Sequence, residues 1–173
     1  MDIKKEIENV ILKYPTLFYN SEKNELIGEL FVSRLDSYGI RIDLSTYPKF
    51  FPNVYELDGR IPNKLTRHIY TDSGSCCFTT LARAQILLKT KITNITFFIK
   101  DILIPYLQNN SYFEINMNYR TSEYSHDALG VVEGYRDILQ MHNDLLIAQL
   151  IYRRINGEKL KIQHKCYCGS GRS

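Results

Sequence analysis

The chain has 173 residues, of which 44% are hydrophobic and 24% charged, a composition that fits one soluble globular domain of ordinary size. No run approaches the roughly 18 apolar residues that cross a bilayer, and Met1 to Glu6 lacks the apolar core of a secretory signal, so a cytoplasmic protein is expected. The net charge is +3, but six basic residues against one acid fall between Arg153 and Ser173, leaving the body slightly acidic; neither a nucleic-acid-binding face nor a membrane partner is expected.

Ile3, Ile7, Val10, Ile11 and Tyr14 recur at three- and four-residue spacing, which predicts a short amphipathic helix stopped by Pro15. A strand over Leu17-Phe18-Tyr19 precedes a β-leaning run from Leu26 to Val32, with Gly28 as the expected bulge. Ser37-Tyr38-Gly39 has turn chemistry, and Ile40, Ile42 and Leu44 then alternate with Arg41 and Asp43 as a strand with one wet face. Pro48 and Pro52 forbid helix, so the next strand is expected after an extended bend, at Val54, Tyr55 and Leu57.

After residue 80 the period changes. Ile95, Phe98, Ile99, Ile102, Leu103 and Tyr106 predict a buried helix capped by Thr93 or Asn94 and kinked or ended at Pro105. Residues 108–126 have no clear period and are expected to be loop, with Ser125 or Asp127 capping the helix that follows. Helical spacing returns from Val131 to His142 and from Leu145 to Tyr152, closed by Gly157. The order of helix, antiparallel meander, cysteine loop and helices predicts an α+β fold. The domain is expected over 1–157, with a basic tail over 158–173.

The chemistry concentrates between Arg67 and Thr80. There a polar turn, Asp72-Ser73-Gly74, delivers two adjacent cysteines, Cys76 and Cys77. Adjacent Cα atoms sit about 3.8 Å apart, too close for an unstrained disulfide. On extended backbone the two side chains point to opposite faces, so one can be core while the other is exposed. The residues alone leave two readings open: a pair of buried apolar thiols, or a nucleophile beside a core residue.

Placed in order, Tyr47-Pro48, Phe51-Pro52-Asn53-Val54, Gly59-Arg60-Ile61-Pro62, His68-Ile69-Tyr70 and Gly74-Ser75-Cys76-Cys77-Phe78 resemble the ubiquitin-conjugating enzymes, over about residues 20 to 105. The resemblance is to the bacterial branch found with anti-phage defence genes of the CBASS type. It implies the ubiquitin-conjugating fold, with an N-terminal helix and a four-stranded meander. It also implies a thioester-forming acyl transferase with Cys77 as nucleophile, Cys76 being the alternative, and with His68, Tyr70 and Asp72 around it. Tyr70 stands where eukaryotic members have an asparagine that stabilises an oxyanion; a phenol can also donate toward developing negative charge.

The implied partner is the C-terminal glycine tail of a cGAS-like nucleotidyltransferase or of a ubiquitin-like protein, passed on to a lysine amine. No phosphate-binding glycine loop of the Walker or dinucleotide type occurs, so activation would fall to another enzyme. A non-catalytic module of the same fold, holding such a tail, is the alternative. No cofactor is expected for the thiol chemistry. In the tail, His164, Cys166 and Cys168 precede a Gly-Ser-Gly turn and resemble the first half of a SEC-C zinc motif. They offer at most three of the four ligands that structural zinc takes.

Overall fold

The structure, a computed structural model, describes residues 2–121, 124, 125 and 127–158. Its contacts divide the chain into two compact units, Met1–Glu123 and Tyr124–Ser173. The tail expected over 158–173 lies, from 159 on, outside the described residues. The architecture is α+β with one four-stranded antiparallel sheet.

In the first unit, α1 (Ile3–Lys13) starts at Asp2, whose carboxylate accepts the Lys4 amide at 3.1 Å, and it buries Ile7 and Val10. The sheet follows as β1 (Leu17–Asn20), β2 (Glu25–Ser33), β3 (Asp36–Asp43) and β4 (Asn53–Glu56), paired in sequence order. Alternation puts Leu17, Leu26, Leu30, Tyr38, Ile40, Ile42 and Val54 on one face, each buried. Glu29, Phe31 and Phe18 take the other face or its rim and remain exposed.

One turn expectation and one bulge expectation are corrected. The β2–β3 turn is Arg34-Leu35, and Ser37-Tyr38-Gly39 lies inside β3. Gly39 is there for close approach rather than reversal: its amide donates to Asp58 Oδ2 at 2.5 Å, and a Cβ would meet Asp58 Oδ1 at 2.5 Å. Gly28 pairs regularly with Leu17 and Ile40, while the register shift lies between Phe31 and Ser33. At Gly28, φ is +146° and a Cβ would stand 2.1 Å from the Thr16 carbonyl oxygen, so the position excludes a side chain without being a bulge.

The helices also differ from expectation. A short helix absent from the sequence reading, α2 (Leu81–Thr90), begins at Thr80, whose hydroxyl accepts the Arg83 amide. Next comes α3, continuous over 95–116 and starting at Asn94, whose Oδ1 caps the Phe97 amide at 2.9 Å. Pro105 neither ends it nor leaves it regular. A proline inside a helix costs one backbone bond and crowds the preceding turn; here Ile99–Leu103 widens into a π turn immediately before it, and the helix resumes as Ile104–Asn116. Residues 108–116 are therefore helix and not loop. The buried face of α3 runs through Ile95, Phe98, Ile99, Leu103 and Leu107, then ends on Asn110.

The second unit is a helical pair, α4 (Asp127–Leu139) and α5 (Asp144–Ile155). Asn143 caps α5 through the Leu146 amide at 3.0 Å, and the Arg136 guanidinium donates to both carboxylate oxygens of Asp144, at 2.8 and 2.7 Å. Ser125 turns its hydroxyl to Glu133 at 2.9 Å. No described helix is long and apolar enough to cross a membrane.

Candidate functional site: the cysteine loop

A short 3₁₀ turn, Leu65–Arg67, ends at His68 in the left-handed region with φ +52°. From there the chain doubles back on itself. Ile69 and Cys76 form an antiparallel bridge; the Cys77 amide donates to the His68 carbonyl at 2.7 Å, and the Tyr70 amide to the Ser75 carbonyl at 2.9 Å. Gly74, at φ +74°, closes the tip by donating to the Tyr70 carbonyl at 2.7 Å. Asp72 is exposed there and holds the Ser73 amide at 2.8 Å. The Cys76 amide bonds the Val54 carbonyl at 2.8 Å, which fastens the returning strand to β4.

The base of this loop is held by α3. Tyr106 donates its hydroxyl to the His68 carbonyl at 2.9 Å. Arg67 lies over the Phe113 ring at 4.3 Å and donates to Asn110 Oδ1 at 3.0 Å. Phe78, just past the cysteines, meets Tyr106 and Phe98 edge-on at 5.0 and 5.5 Å. The loop is thus clamped at both ends while its tip is open.

The two cysteines have different surroundings. Cys76 is 5% exposed. Burial pushes its thiol up to about 12, with the Tyr106 hydroxyl pulling it partly back. At neutral pH that sulfur is protonated, and a neutral thiol is the weaker nucleophile. Cys77 is partly exposed, and it stands near enough to Tyr70 to act on the phenol. Burial first, then the neighbouring Cys77 and Asp72, raise the Tyr70 phenol above its ordinary range. The phenol therefore remains a donor at any physiological pH.

Beside this pair lies a groove of about 260 Å³. Phe50, Phe51 and Pro52 form one wall, and Phe78, Leu81 and Ala84 line it from the α2 side. Tyr70 and the buried Cys76 line it too, while Cys77 is not among its lining residues. A larger cleft of about 520 Å³, between β2 and the second half of α3, contains no residue of the cysteine loop.

Neither the protein-family models, nor the curated proteins, nor the solved structures contain a match to this chain.

Of the residues singled out from sequence, Cys77 and Asp72 both lie near enough to Tyr70 to raise its phenol, and Cys76 is buried. His68 reaches Cys77 through its carbonyl, while its ring sits edge-on to Tyr119 at 5.3 Å. His164, Cys166 and Cys168 lie outside the described residues. Among the described residues no group of three His, Cys, Asp or Glu is placed to hold a metal. Sequence reasoning missed Tyr106 and Asn110 as supports of the loop, and Thr79 as a lining residue of the groove. Tyr106 bonds across 38 positions and Arg67 to Asn110 across 43, beyond the range of any local pattern.

Proposed function

We propose that the chain is a ubiquitin-conjugating-like acyl carrier and that Cys77 is its nucleophile. The Cys77 thiolate attacks the activated carbonyl of a C-terminal glycine. A carbon–sulfur bond forms, the bond to the activating group breaks, and that group departs as AMP from an acyl adenylate or as a partner's thiol from a thioester. An amine, in this reading a lysine, then attacks the thioester; the carbon–nitrogen bond forms and Cys77 leaves as the thiol. A thiol needs no base locked beside it for this, because a few per cent is already thiolate at neutral pH.

The single observation that carries the reading is a partly exposed Cys77, with Tyr70 near it, on a loop segment whose backbone α3 holds fixed through the His68 carbonyl. A fixed donor beside the reacting carbonyl stabilises developing negative charge. The order of helix, four-stranded meander, cysteine loop and buried helix also agrees with the ubiquitin-conjugating fold, which we assign as part of this proposal. Two departures belong to it as well: Tyr70 in place of an asparagine, and α2 between the cysteines and α3. The donor tail in this reading is that of a cGAS-like nucleotidyltransferase or a ubiquitin-like protein in an anti-phage operon, activated by another enzyme.

The groove beside Tyr70 favours a second reading, a module that holds a tail without transferring it. A Cys77→Ser variant co-expressed with the neighbouring operon proteins separates the two. A carrier accumulates an ester-linked adduct resistant to thiols but cleaved by mild base, whereas a holding module yields no covalent species.

A further inference from the structure

Helix α5 (Asp144–Ile155) carries apolar residues on two sides, and only one of them is covered. From 145 to 152 it reads Leu-Leu-Ile-Ala-Gln-Leu-Ile-Tyr, with no charged residue, so the helix is apolar nearly all round. A helix of that kind belongs in an interior. On one side Ile147 is buried, and Leu146, Leu150 and Ile151 are partly so. On the other, Leu145, Ala148, Tyr152 and Ile155 follow one another at three-, four- and three-residue spacing and form a single stripe. All four are exposed among the described residues, the three large ones by 71, 70 and 78%.

That spacing is the seam of a coiled coil, and it reads the same from either end. The stripe therefore complements itself when a second copy runs in the opposite direction. About a twofold axis midway between 148 and 152, Leu145 meets the partner's Ile155, and the small Ala148 receives the partner's Tyr152. The opposite direction also brings the acidic start of one helix, Asp144, to the basic end of the other, Arg153 and Arg154, whereas parallel helices would set like charges together. Helical spacing puts Gln149 and Asn156, both uncharged, along one edge of the stripe, as suits a polar rim. We propose that α5 is a self-association surface, through which two copies of this chain pair as antiparallel helices. Three large side chains from each copy make a contact smaller than that of a permanent dimer, so the dissociation constant should be on the order of 10 to 100 µM.

Sedimentation velocity of the full chain under reducing conditions, from about 5 to about 500 µM, tests this; the protein should pass from monomer to dimer across that range. Leu145→Glu and Ile155→Lys each put an unpaired charge into the seam, and each should weaken dimerisation at least about tenfold. In an antiparallel pair the two positions face each other. The double variant, Leu145→Glu with Ile155→Lys, should therefore regain an affinity within about fivefold of wild type. Both residues are exposed in the single chain, so the variants should fold, which their melting temperatures at low concentration check. A chain ending at Glu158 should dimerise as the full chain does. Four results overturn the proposal. A wild type still monomeric at the highest concentration shows no self-association. Single variants that dimerise as tightly as wild type place the contact elsewhere. A double variant no better than the single ones gives the seam another direction. Loss of dimerisation on removal of residues 159–173 assigns the contact to the tail.

Discussion

The Tyr106 hydroxyl and the Cys77 amide converge on one oxygen, the His68 carbonyl, at 2.9 and 2.7 Å. Through that atom a helix about thirty residues further along holds the backbone of the candidate nucleophile. Tyr106→Phe keeps the ring against Phe78 and removes only the hydroxyl. Because the bond is buried, its loss should cost about 1–2 kcal/mol in urea unfolding. Amide exchange at Cys77 should rise by more than exchange at strand residues such as Ile40, which the substitution does not touch.

Tyr70→Phe tests the donor itself. The phenol is at the rim, 43% exposed, so its removal should move the melting temperature little. Acylation of Cys77 by a peptide thioester should slow about tenfold, less than for an oxyanion donor sealed from water. An unchanged rate would assign Tyr70 to the groove wall alone.

Cys76 gives the protein a pH signature. Its folded-state thiol is raised by burial to about 12, from an ordinary value of 9.0. The native state therefore keeps a proton that the unfolded chain gives up first. The corresponding stability is fully present below about pH 9 and is lost as pH rises toward 12. Between about pH 8.5 and 10, wild-type protein should lose stability faster than Cys76→Ala, by up to about 1 kcal/mol per pH unit. Urea titrations of the two proteins at a series of pH values measure the difference.

Much of the sheet was legible because its core is written in alternation: Ile40 and Ile42 buried, Arg41 and Asp43 between them. Helix α1 was legible for the same reason at helical period. The second half of α3 was hidden because its inward positions carry Asn109 and Asn110, which satisfy backbone and loop groups instead of filling a core. Helix α2 was hidden because it buries only Ala84 and so shows no apolar stripe, although the Thr80 cap and the helix-forming residues from Leu81 to Lys89 were a usable signal. Gly39 was misread as a turn because its reason, the Asp58 carboxylate, lies 19 positions away. At the site, the adjacency of Cys76 and Cys77 was enough to predict opposite surroundings, which the burial of one and partial exposure of the other match. The groove was not legible at all, since residues 46–53 and 78–85 meet only in the fold.

The central claim is that Cys77 carries an acyl group. Its most direct test is the intact mass of the protein after co-expression with a glycine-tailed candidate partner and an activating enzyme and acid quenching, before and after treatment with dithiothreitol. The account predicts an added mass equal to that of a glycine-terminated partner less one water. That adduct should be lost on thiol treatment, absent in Cys77→Ala and retained in Cys76→Ala. A wild-type protein that never shows a thiol-sensitive adduct, or one whose adduct persists in Cys77→Ala, would contradict it.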